Sequence, residues 1–214
     1  MTIKQSNTPL LIGAGFGFAL IYLLSSDKKK PSGTSKPSLS STAFVKKYYP
    51  YALAASKLNK TPPSVAITFA AIESGWGKHA PAYNFFGIKA GSKWKGQVTK
   101  LRTPECFNTG TKKLKAEILQ VIPPCKSGAF KACCKRGEFT YWINDKFRAY
   151  SSPAVSFLDF GVFLKENKNF SPAFQYSDPA KFGGYVLTHG YATAKYLPTF
   201  LALHSQIERM IAKL

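Results

Sequence analysis

The chain is poor in acid. Only ten of its 214 residues are Asp or Glu, against 30 Lys and Arg, and the net charge is +20. Residues 1–40 carry five of the basic residues and one of the acids, which leaves +16 on the remainder. A surplus of that size attracts polyanions at long range. Nucleic acid, anionic lipid and bacterial cell wall all qualify. Zinc-finger, helix-turn-helix and RNA-recognition signatures are missing, so nucleic acid is not the expected partner. Histidine is scarce as well. His79, His189 and His204 are scattered and make no ligand cluster, so no metal is expected. No nucleophilic triad, phosphate-binding glycine loop or internal repeat occurs, and nothing calls for a cofactor.

Charge of either sign is also missing between Lys4 and Asp27. Those 22 uncharged residues would span about 33 Å as a helix, close to the hydrocarbon thickness of a bilayer. Residues 8–24 are apolar apart from Thr8, and Gly13, Gly15 and Gly17 are tolerated in lipid. A cleaved signal peptide needs a small-x-small site after the apolar run, and Leu24-Ser25-Ser26-Asp27 is a poor one. Residues 1–27 are therefore expected to be an uncleaved membrane anchor that touches lipid through residues 8–24. Residues 28–41, KKKPSGTSKPSLSS, have no apolar period and read as a flexible tether. Lys28, Lys29 and Lys30 would favour a cytoplasmic location for the rest of the chain. A domain acting on cell wall must instead face the wall, as a single-pass protein of the cell membrane or of the membrane inside a lipid-containing phage.

Residues 42–214 form the expected globular domain. The chain is 45% hydrophobic and 14% aromatic, which suits a packed core. Tyr and Phe supply 28 of the aromatics, and most of them are expected to fill that core. Thr42 is expected to cap a helix through Asn59, kinked at Pro50. Thr61-Pro62-Pro63 opens a second helix whose apolar positions Val65, Phe69 and Ile72 recur at helical spacing. Glu73 falls beside that apolar face, just before Gly75. A carboxyl in apolar surroundings resists ionisation, and a protonated carboxyl is what a departing glycosidic oxygen requires.

Glu73 does not stand alone. Ala71–Gly77 reads A-I-E-S-G-W-G, Tyr83–Ala90 reads Y-N-F-F-G-I-K-A, Trp94–Gly96 reads W-K-G and Thr103–Glu105 reads T-P-E. Further on come F-R-A-Y-S-S at Phe147–Ser152 and G-Y-A-T at Gly190–Thr193, followed by Tyr196. This ordered set, over about residues 43–214, resembles the glucosaminidase domain of glycoside hydrolase family 73, to which flagellar peptidoglycan hydrolases belong. The resemblance implies an α+β, mainly α, lysozyme-like domain with a small β-lobe, here preceded by one transmembrane helix. It implies peptidoglycan glycan strands as substrate, with hydrolysis of the β-1,4 bond from N-acetylglucosamine to N-acetylmuramic acid.

Within that resemblance Glu73 is the acid. Of the nine acids beyond residue 40, Asp159 and Glu166 fall in a helical stretch, Asp178 reads as a helix cap, and Glu208 lies on the last helix. Glu117, Glu138 and Asp145 belong to a segment the family lacks or varies. Glu105 remains and aligns with the family's β-lobe glutamate, which would activate water or stabilise an oxocarbenium-like transition state. Tyr191 and Tyr196 match family tyrosines that face the cleft, with Tyr191 the catalytic candidate. Tyr83, Asn84, Phe85 and Phe86 are expected to form the cleft wall. Trp76 is expected to pack beneath the acid. Trp94 can stack on sugar or fill the β-lobe.

The departure from the family is an insert at residues 106–146, rich in Cys and Lys. It holds Cys106, Cys125, Cys133 and Cys134, which are disulfide candidates if the domain is exported, with three possible pairings. The adjacent Cys133 and Cys134 are not expected to pair with each other. Free thiols are the alternative in a reducing compartment. Two other functions compete: a muramidase or lytic transglycosylase of the same fold, and a non-catalytic wall-binding assembly protein. The oligomeric state is not legible.

Overall fold

The computed structural model describes residues 40–114, 116–124, 137–192 and 196–214. The expected anchor and nearly all of the tether lie outside these residues. Among the described residues no helix is long and apolar enough to cross a membrane.

Helix α1 spans Ser41–Asn59. Its cap is Ser40 rather than Thr42, the Ser40 Oγ accepting from Ala43 N at 3.2 Å. Pro50 lies inside this helix without ending it. Helix α2, Pro63–Ser74, begins on its proline as expected and is buried on every side from Ser64 to Ile72. A helix apolar all round belongs in the middle of a lobe. Here α1 and α5, Leu197–Ile211, pack against it. Helix α3, Pro153–Glu166, is capped by Ser152 and lies along α1. Gly161 makes that approach close: a Cβ there would sit 2.1 Å from Asn59 Nδ2. Helix α4, Pro179–Val186, starts on Asp178, whose Oδ1 accepts from Lys181 N at 2.7 Å, and runs into a π-helical turn over Leu187–Tyr191.

The core of this helical lobe is aromatic. Phe69, Phe86, Phe160 and Tyr191 are fully buried against one another, with Phe86 and Phe160 stacked at 4.0 Å. The expectation that most aromatics fill the core describes this lobe well.

The β-lobe is a three-stranded antiparallel sheet of β1 (Val98–Phe107), β2 (Glu117–Ile122) and β3 (Phe139–Arg148), in the order β1-β3-β2. The insert supplies β2 as an edge strand, with Ile118, Leu119 and Val121 exposed. Glu105 lies inside β1, opposite Tyr141. Cys106 follows it on β1, while Cys125, Cys133 and Cys134 lie outside the described residues.

Candidate active site

The end of α2 is built to stop sharply. Gly75, Trp76 and Gly77 all take positive φ, at 56°, 58° and 80°. Trp76 N donates to Ala71 O at 2.9 Å and Gly75 N to Ile72 O at 3.4 Å, which closes the helix as a Schellman-type motif does. Ser74 Oγ accepts from Gly77 N at 2.8 Å and fixes the turn. The Trp76 ring meets Phe44 edge-on at 5.6 Å and packs against the core. Glu73 is thereby held on the last turn, partly exposed, with no hydrogen bond or ion pair to its carboxyl among the described residues. Burial raises its pKa well above the ordinary 4.5, so the protonated form is favoured.

The loop 84–90 connects this acid to the β-lobe. Asn84 is its internal brace: Oδ1 accepts from Ile88 N at 3.0 Å, and Nδ2 donates to Ile88 O at 3.0 Å and Arg148 O at 2.9 Å. Gly87 takes φ 62°, and a Cβ there would sit 4.0 Å from Glu73 Oε2. The loop then bridges Lys89 to Phe147 on β3, with Arg148 N donating to Ile88 O at 3.0 Å and Ala90 N to Lys146 O at 2.8 Å. From this anchored position the Lys89 ammonium reaches Glu105 Oε1 and lies 2.8 Å from Asp145 Oδ2. One loop therefore passes the helical carboxyl at Gly87 and reaches the sheet carboxylate through Lys89.

Several expected site residues serve that loop from inside. The cleft wall expected of Asn84, Phe85 and Phe86 is an inward-facing one: all three are buried, the two rings in the aromatic core and the amide on the loop's own backbone. Tyr191 is fully buried too, and its hydroxyl donates to Phe86 O at 3.0 Å instead of opening to solvent. Burial raises its pKa, and the nearby Glu73 charge and Tyr150 add to the shift. Tyr196 is buried in the same core. Aromatics are driven inward by their area, and here a polar tip is spent on the loop. Tyr83, by contrast, is 45% exposed. Trp94 lies under the Arg148 guanidinium at 4.5 Å and donates from Nε1 to Gln97 O at 2.9 Å.

Two elements of this arrangement do not stand out in the sequence. Lys89 is one lysine in a lysine-rich chain, and only its place in F-G-I-K-A marks it. The second is the joint between lobes. Arg148 Nη1 donates to Asp159 at 3.0 and 2.8 Å, and Tyr150 Oη donates to Asp159 Oδ2 at 2.6 Å. Burial, then the Asp159 bond and charge, push the Tyr150 pKa far up.

An acid at a helix end, joined by a braced loop to a carboxylate-bearing sheet, fits the plan of a lysozyme-like glycoside hydrolase. The glucosaminidase family model, described as mannosyl-glycoprotein endo-beta-N-acetylglucosaminidase, matches residues 49–212. The chain belongs to this family. Peptidoglycan hydrolase FlgJ of Salmonella typhimurium is 30% identical over 168 residues, covering 74% of this chain and 44% of its own length. Its counterpart in Vibrio parahaemolyticus is 30% identical over 176 residues, covering 78% and 48%. The chain thus spans about half the length of the curated relatives it matches. Among solved structures, the glycoside hydrolase domain of Salmonella typhimurium FlgJ has a TM-score of 0.57 at 23% identity, covering 82% of this chain and 92% of that one. A peptidoglycan hydrolase mutant from Sphingomonas sp. A1 has a TM-score of 0.58 at 23% identity, with 81% and 99% covered. These structures share the fold.

Proposed function

We propose that the chain is a peptidoglycan hydrolase that cuts the β-1,4 bond between N-acetylglucosamine and N-acetylmuramic acid. The observation that carries this reading is the Glu73 carboxyl, unpaired among the described residues and held toward its protonated form by burial. Glu73 gives its proton to the departing glycosidic oxygen. Glu105 activates water or stabilises the positive charge that develops on the sugar. Tyr191 acts through the Phe86 carbonyl to hold the loop between them, and Tyr83 and Trp94 are the aromatics available to sugar. FlgJ is named a peptidoglycan hydrolase, and the +16 charge of residues 41–214 suits an anionic wall.

The rest of the reading comes from the sequence. Residues 1–27 anchor the chain in a membrane, the residues from 28 up to the Ser40 cap tether it, and the domain that follows acts on nearby wall from a cell or virion membrane. The cysteines of the insert pair as disulfides, and the bonded state of the Cys106 sulfur supports that pairing. Turnover of purified peptidoglycan tests the catalytic part. Glu73→Gln is expected to fold and to lose at least ~100-fold in rate, the usual scale for a lost general acid. Full activity in that variant would remove Glu73 from its role.

A further inference from the structure

Two carboxylates share one ammonium in the β-lobe. Lys89 Nζ meets Glu105 Oε1 and Asp145 Oδ2, and Asp145 Oδ1 accepts from the Lys146 amide at 2.8 Å. Both oxygens of Asp145 are thus engaged. Glu105 is held by one oxygen only, and among the described residues no protein group bonds its Oε2. The Glu105 side chain is 6% exposed, against 23% for Asp145 and 24% for Lys89.

We propose that Lys89 is a positioning residue for Glu105: it pins one carboxylate oxygen, supplies the counter-charge, and leaves the other oxygen for water or sugar, while Asp145 holds the ammonium in place. This rests on the reading of Glu105 as the second carboxylate.

The chemistry of lysine suits the task. An ammonium is a compact charge with three donors and can serve two carboxylates at once, whereas the planar fork of arginine prefers one. The ammonium stays charged in its partly buried position. Burial pulls its pKa down, but hydrogen bonds to Asp145 and Glu105, and the charges of both, raise it overall. Its aim is set by backbone, through the Lys89–Phe147 bridge and the bonds of Ile88 and Ala90 to β3. The same loop passes Glu73 at Gly87, where an added Cβ would sit 4.0 Å from Glu73 Oε2. Without Lys89, Glu105 would be a buried charge with no partner among the described residues, and such charges turn away or destabilise.

The test is a double-mutant cycle on the full chain, with turnover measured on soluble glycan fragments. Lys89→Met is expected to lower kcat by about tenfold or more while KM changes by less than about twofold, the signature of a lost transition-state interaction. In a Glu105→Gln background the same change is expected to cost less than about twofold, because coupled residues are not additive. Lys89→Arg is expected to recover part of the lost rate. An equal proportional loss in both backgrounds overturns the proposal, and so does a silent Glu105→Gln. If Lys89→Met fails to fold, Asp145→Asn replaces it in the cycle, with the same non-additivity expected. A crystal structure of the Lys89→Met or Asp145→Asn variant gives a readout free of activity. A displaced Glu105 carboxylate supports the clamp, and an unmoved one overturns it. A wild-type chain that cuts no glycan would sink the proposed function, and that structure would still decide the clamp.

Discussion

At the scale of the residue, Glu73 shows how much a place on a helix decides. Its side chain differs from that of Glu105 only in surroundings. One carboxyl has an apolar neighbourhood and no bonding partner among the described residues; the other has an ammonium. The consequence for stability has a definite sign. The folded chain holds a proton on Glu73 well above pH 4.5, where an unfolded chain has released it. Stability from this group is complete below the unfolded pKa and is lost as pH rises through the folded one. Glu73→Gln removes that dependence. The variant is therefore expected to gain stability relative to wild type from about pH 4.5 upward, levelling off once the folded pKa is passed. Urea unfolding across a pH series measures it, and a difference that does not vary with pH would show the carboxyl to be ionised and solvated.

Glu73 is legible in the sequence because apolar spacing and Gly75 together locate it on a helix end. Its burial follows from the neighbours. The role of Lys89 does not follow, because which two of nine acids one lysine will meet depends on the register of β1 with β3. That register pairs Glu105 with Tyr141 and Leu101 with Asp145, over a separation no local pattern encodes. The inward turn of Asn84, Phe85 and Phe86 is hidden for a related reason. A wall and its backing have the same composition.

Among the elements, helix starts are the most legible. Pro63 and Asp178 stand where the sequence puts a first turn and a cap, since these signals act within four residues. Ser40 takes the place of Thr42 because both are good caps and the choice lies within one turn. The insert is recognisable by its length, but that it adds an edge strand to the sheet depends on pairing with β3. Packing between elements gives a separate expectation. Gly161 lets α3 lie against Asn59 and Thr61, and a Cβ there would meet Asn59 Nδ2 at 2.1 Å and Thr61 Oγ1 at 2.6 Å. Gly161→Ala is expected to cost about 1–3 kcal/mol by overpacking, or roughly 2–4 °C in Tm for each kcal/mol in a domain of this size. An unchanged Tm would show that α1 and α3 separate freely.

For the whole molecule, charge and chemistry serve the same end. On the proposed function, the +16 surplus on residues 41–214 draws the domain to an anionic wall, where the two lobes act on one glycosidic bond. Exposed charges are screened beyond about 10 Å at 0.1 M salt. Sedimentation with purified wall is therefore expected to weaken steadily as salt is raised. Binding that ignores salt would assign the attachment to contacts other than the lysines.

Mass spectrometry of the fragments released from purified peptidoglycan identifies the bond that is cut. Wild-type protein is expected to leave chains that end in reducing N-acetylglucosamine, and Glu73→Gln to leave almost none. Fragments ending in reducing or anhydro N-acetylmuramic acid would contradict the account, because the bond cut would then lie on the other side of the muramic acid.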